Sequence, residues 1–182
     1  MRYQENGHVT DPALTPRPPR GGTVYVYGTF YHEDSDGIND IFHAWSADGK
    51  GGNGKGQLLV VQFYDDGICY QSRGGPQVAS HLPIYVERVE KYGLDEIMCQ
   101  IDFQFPEDLS SNGTYTVMWV WDWPLITSDS TNVTEIYTSC AEIQLRIPAG
   151  RTGSEIHFAA NHNVQNAGIQ SRVENPFDTT PR

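Results

Sequence analysis

Residues 115–145 read YTVMWVWDWPLITSDSTNVTEIYTSCAEIQL. Tyr115, Val117, Trp119, Trp121 and Trp123 share one parity, and Thr116, Met118, Val120 and Asp122 share the other, which is the period-two pattern of a strand. Pro124 is expected to end that strand, because proline has no amide hydrogen to give to a ladder. A stretch rich in Ser, Thr, Asp and Asn follows, and residues 135–145 then return as a second strand carrying Tyr137 and Cys140. The two strands are expected to pair as a long-looped hairpin. On packing grounds alone, its tryptophans and Tyr137 read as the core of a sandwich.

A chain of 182 residues is long enough for one domain with a substantial core. With 18 glycines, 11 prolines and 12% aromatic residues, the composition suits a loop-rich all-β domain and suits a helical bundle poorly. The formal net charge of −11 repels a polyanion, so nucleic acid is excluded as a partner while a neutral carbohydrate is not. No run is apolar over the length of a bilayer, so no membrane partner is expected, and the opening MRYQENGHVT lacks the apolar stretch of a signal peptide. Two features nevertheless point to export. Asn112-Gly113-Thr114 and Asn132-Val133-Thr134 are glycosylation sequons in expected loops. Cys69, Cys99 and Cys140 lack the paired spacing of a zinc site, leaving either three reduced core thiols or one pair and an orphan.

Along the chain, residues 2–5 read as a strand that begins abruptly, and Asn6-Gly7 as a turn followed at once by His8. Residues 11–22 form a proline-rich surface loop. Residues 23–29 are a strand with Val24 and Val26 on one face and Tyr25 and Tyr27 on the other, and residues 41–45 are a short strand. The run GKGGNGKG at 49–56 superficially resembles a phosphate cradle, yet Lys55 is followed by Gly56 and an apolar strand rather than by Ser or Thr and a helix. Nucleotide binding is thereby excluded. Residues 57–64 are that strand, closed by the turn Asp65-Asp66-Gly67; residues 82–92 make a helical turn or two capped by Gly93; residues 97–105 are a strand with Cys99. One domain over residues 1–149 and a polar tail or linker over 150–182 are expected.

Four blocks in this order, RYQENGHVT (2–10), GTVYVYGT (22–29), WVWDWP (119–124) and EIYTSC (135–140), resemble a secreted fungal family of unknown function that is similar to the fungal lytic polysaccharide monooxygenases. The resemblance covers residues 1–147 and implies an immunoglobulin-like antiparallel β-sandwich with long loops. It further implies one copper ion in a brace of three nitrogens, two from a mature N-terminal histidine and one from a second histidine, with chitin or cellulose as substrate and a monomeric, secreted protein. His8 matches the second histidine, Tyr137 the axial tyrosine, and Glu135 the polar residue that orients a reduced oxygen species. Imidazole suits both copper oxidation states, three nitrogens leave a position open for oxygen or peroxide, and a nearby carboxylate can hydrogen-bond or move a proton. Trp119, Trp121 and Trp123 could in addition carry oxidising holes away from the metal. Cys140 matches a cysteine whose partner lies upstream, so it is expected unpaired here, with Cys69 and Cys99 as the disulfide and Asn112 and Asn132 glycosylated.

The departure from that family is Met1, which cannot supply the ring limb of the brace. His32, His43, His81, His157 and His162 each lack a second ligand at metal spacing, although His43 has some claim as an outer-sphere residue. The expectation is a sandwich missing its first strands, marginal in stability or prone to aggregate, with copper weak or absent and no cleavage by this chain. Two other readings stand beside it: a non-catalytic secreted copper- or glycan-binding β-sandwich, and a cytosolic β-sandwich with no metal.

Overall fold

The computed structural model describes residues 1–5, 10, 18–71, 83–106, 109, 112–125, 133–146 and 176–177. It shows an all-β, sandwich-like domain. The main sheet contains β2 (Thr23–Thr29), β3 (Gly56–Phe63), β5 (Gly113–Leu125) and β6 (Val133–Leu145) in the spatial order β3-β2-β5-β6, every pair antiparallel. A second, two-residue sheet pairs β1 (Arg2–Tyr3) with β4 (Cys99–Gln100).

Alternation in β2 and β5 sends one parity to each face of the main sheet. Val24, Val26, Val117 and Trp121 go to the face closed by the small sheet, where they pack with Tyr64, Ile101 and the disulfide that joins Cys69 to Cys99. The Met1 ammonium donates to the Ile101 carbonyl at 2.6 Å, and the Ile101 amide returns to the Met1 carbonyl at 2.9 Å, tying the first residue to the segment that follows β4. Tyr27, Met118 and Val120 go to the other face and pack with Ile41 and Trp45. Gly28 permits the close approach of β2 to β5: a Cβ there would lie 2.4 Å from the Tyr115 ring.

Residues 41–45 are not a strand. Ile38–Ile41 form a helical turn, α1, begun by the Asp40 carboxylate accepting the Gly37 amide and continued by the Trp45 amide donating to the Ile41 carbonyl. Ile41 and Trp45, four apart, thus face the sheet together, as helical spacing requires. Within residues 97–105 only Cys99–Gln100 form a strand, because β1 offers two residues of backbone; Ile97 adds a single antiparallel bridge to Tyr70. Pro124 does not end β5; it pairs with Thr134 on β6. Contact with β2 stops at Asp122, so beyond that point β5 is an edge on the β2 side and a missing amide costs no ladder bond there.

Helix α2 (Pro83–Tyr92) ends as expected at Gly93, whose φ of 65° turns its amide onto the Val89 carbonyl at 2.8 Å. It buries Tyr85 against Tyr70 and Ile97, and Arg88 reaches under it to Asp65. Of the tail expected over 150–182, only residues 176–177 are described: the Pro176 carbonyl accepts the Val61 amide at 2.9 Å. No helix among the described residues is long and apolar enough to cross a membrane.

Candidate functional site

The register of β5 on β6 builds the site. It places Trp121 beside Tyr137 and Trp123 beside Glu135, all of one parity. Trp121 is fixed from within: its indole N–H donates to the Gly21 carbonyl at 2.8 Å, and its ring stacks on Tyr64 with centroids 3.9 Å apart. On its outer side the Tyr137 ring stacks at 4.8 Å. The row Tyr64, Trp121, Tyr137 therefore leads from the core to a tyrosine that is 40% exposed.

Glu135, two residues away on the same face, accepts the Tyr137 hydroxyl at 2.5 Å. That hydrogen bond first, then burial, then the glutamate's charge, holds the phenol above its ordinary pKa. Tyr137 is accordingly a neutral phenol at neutral pH, with its ring orientation set by Trp121 and its hydroxyl set by Glu135. A neutral phenol is a poor metal ligand, and a carboxylate already holding a proton donor is an acceptor and proton relay rather than a bare anion.

His8 lies outside the described residues, as do Asn132, His81, His157 and His162. His32 and His43 are the histidines within them. His32 Nδ1 is 3.6 Å from the Asp36 carboxylate. His43 has a φ of 60°, sits 3.8 Å from the Phe42 ring and meets Tyr25 edge-on at 5.1 Å. Tyr25 aligns with Val120, the parity opposite to that of Tyr137, so His43 belongs to the other face of the sheet and is not in the outer sphere of a site at Tyr137.

One group of three possible metal donors occurs among the described residues, Asp65, Asp66 and Cys69. Its atoms are engaged. Cys69 is in the disulfide, Asp65 is paired with Arg88, and Asp66 accepts the amides of Ile68, Cys69 and Gln100. The described residues thus assemble the oxygen groups of a polar outer wall, and they do not assemble nitrogens that would hold copper.

Asn112 is exposed immediately before β5, and Cys140 is a free, exposed thiol opposite Met118. The glycine-rich loop borders a cavity of about 230 Å³ with Phe30, Tyr31 and Tyr115, where the Lys55 ammonium is held by Glu33 at 2.8 Å and Asp36 at 3.1 Å. A lysine so neutralised does not cradle phosphate.

Two polar features were not found by sequence reasoning. The Arg88–Asp65 pair is buried, although an arginine in a helix of mixed charge reads as solvated; its signal is that Arg88 lies three residues after Tyr85, on the inward face. Asp122 has one carboxylate oxygen buried with no hydrogen-bond partner, and burial pushes its pKa up while His43 pulls it down. Nothing in its sequence context marked it.

An all-β sandwich-like domain with an exposed, carboxylate-held tyrosine on its outer strand is what the geometry defines. Over residues 1–170 the chain matches the family described as Domain of unknown function (DUF7492), and it belongs to that family. The match runs beyond residue 147, into the polar segment read as a tail. Neither the curated proteins nor the solved structures hold a match to the chain.

Proposed function

We propose that this domain takes a polysaccharide such as chitin or cellulose along the exposed margin of the outer strand, at Tyr137, and that, in a protein with both histidine limbs, it cleaves that polysaccharide oxidatively with copper. The observation that carries the reading is the Tyr137–Glu135 pair on the outer strand, backed by Trp121. An exposed aromatic ring offers a flat apolar face to the C–H side of a sugar, and the carboxylate beside it accepts sugar hydroxyls. Copper, when bound, would supply activation of oxygen or peroxide; His8 is the residue of this chain that resembles one of its ligands. Glu135 would keep the phenol in place and pass a proton to or from the reacting oxygen. The disulfide and the exposed Asn112 support an exported, glycosylated protein.

A second reading, glycan binding without cleavage, is favoured by the lack of a nitrogen ligand set among the described residues. Copper, ascorbate and insoluble chitin or cellulose separate the two. A form of the protein whose mature first residue is histidine is expected to release oxidised oligosaccharides, seen by mass spectrometry, and Glu135→Gln to release far fewer. Retention on the glycan with no oxidised product from that form would overturn the oxidative reading and leave the binding one.

A further inference from the structure

Strand β6 is the outermost strand of the described sheet: residues 134–142, of both parities, are all exposed, while Ile143 and Leu145 are half-buried against the core. Proteins blunt such edges with proline, lysine, bulges or a covering segment. The opposite edge shows two of these devices. β3 slips register against β2 between Val26 and Tyr27, and its Val61 amide is taken by the Pro176 carbonyl. Among the described residues β6 shows none of them: residues 133–145 contain no proline, lysine or arginine, the strand pairs with β5 residue for residue over its whole length, and no described segment pairs with its outer edge. Thirteen residues at about 3.3 Å each present an edge of roughly 43 Å.

We propose that this edge is an interface, and that its occupant is β6 of a second copy, paired antiparallel about a two-fold axis at Cys140 so that the two sheets become continuous. Self-complementarity selects this occupant. β6 carries two charges, Glu135 and Glu142, both negative. With Cys140 opposite the partner's Cys140, Glu135 faces the partner's Leu145, Glu142 faces the partner's Thr138, and Tyr137 faces the partner's Ile143. No carboxylate meets another, and an aromatic ring meets a β-branched side chain, a favourable cross-strand pair. Sliding the partner so that Glu135 faces the partner's Glu142 sets like charges opposite each other, which disfavours that register. The net charge of −11 on each copy opposes association, so the dimer tightens as salt screens it. This departs from the monomer that the family resemblance implies, and it does not depend on the proposed activity.

Sedimentation velocity on the whole chain in reducing buffer, over a concentration series at low and high salt, reads the mass. The thiol oxidant diamide then tests the register, because it removes two electrons and two protons from two adjacent thiols and joins them as a disulfide. The expected result is a species of twice 20.4 kDa, more abundant at high salt, that diamide converts to a covalent dimer. Cys140→Ser keeps the dimer but loses the crosslink. Cys140→Glu, which opposes two carboxylates on the axis, loses the dimer at concentrations where the wild type holds it, with an unchanged circular dichroism spectrum. A monomer at every concentration, open-ended aggregates, or a dimer indifferent to Cys140→Glu would overturn the proposal.

Discussion

Replacing Arg88 by methionine should remove about 3 kcal/mol of stability, the lower end of what breaking one side of a buried ion pair costs. Arg88 and Asp65 are 6% and 4% exposed, and the guanidinium meets the carboxylate through two nitrogens at 2.8 and 2.9 Å. It also donates to the Cys69 carbonyl at 2.5 Å, so it bolts α2 to the turn after β3 and to the disulfide. In Arg88→Met the apolar stem is replaced and α2 keeps its length. Asp65 keeps the Gly67 amide at 2.8 Å, which is why the lower end applies, but it loses its charge partner in a site shut off from water. Against a total of about 5–15 kcal/mol for a domain, that is a large fraction. Urea unfolding followed by the fluorescence of the four tryptophans reads it as a lower midpoint at constant slope. Adding Asp65→Ala should recover part of the loss, since a buried pair removed together costs less than a buried charge left alone. A single-variant loss below about 1 kcal/mol, the worth of a surface pair, would refute the reasoning. So would a double variant whose loss equals the sum of the two singles.

Gly28→Ala drives a Cβ to 2.4 Å from the buried Tyr115 ring, itself wedged between Phe30 and Phe105, and should cost about 1–3 kcal/mol in the same urea assay; a neutral outcome would show that β2 and β5 are not so closely set. Alkali should destabilise the fold. Burial raises the Tyr64 phenol far above its ordinary pKa, with Glu5 adding to the rise, and burial raises Tyr25 and Tyr27 as well. A raised phenol keeps its proton in the folded state where the unfolded chain has lost it, so the stability it contributes is intact below about pH 10 and falls as pH climbs above that value. Urea midpoints that stay level on crossing that pH would contradict the burial of Tyr64. Calorimetry with copper should find weak binding on this chain if the proposed reading holds, because His8 is the one residue matched to a copper ligand by resemblance and methionine has no imidazole to add; a submicromolar site would show that other residues complete it.

The parts of the fold legible in the sequence were those where a local rule had no competitor. Period-two alternation marked residues 23–29 and 115–123, and a lone glycine after an amphipathic run marked the end of α2. Residues 41–45 misread because an apolar run of five fits strand and helix alike, and the Gly37–Asp40 start lay just outside it. Residues 97–105 and Pro124 misread for a different reason, since pairing depends on how much backbone the neighbour offers and no single segment reports that. At the site, parity alone put Glu135 and Tyr137 on one face. Their seat over Trp123 and Trp121 required the β5–β6 register, which strand pattern leaves open. The exposure of β6 on both faces was the least legible feature, because Ile136, Tyr137 and Ile143 read as half-buried until the strand is known to be the last one.

The central claim is that Tyr137, held by Glu135 on the outer strand, meets a polysaccharide. Sedimentation of the protein with insoluble chitin and with cellulose, measured as a binding isotherm for wild type and for Tyr137→Ala, tests it most directly. The wild type is expected to be retained on at least one of the two, with retention weakened about tenfold or more in the variant while its urea midpoint holds. Equal retention of both proteins, or none of either, would contradict it.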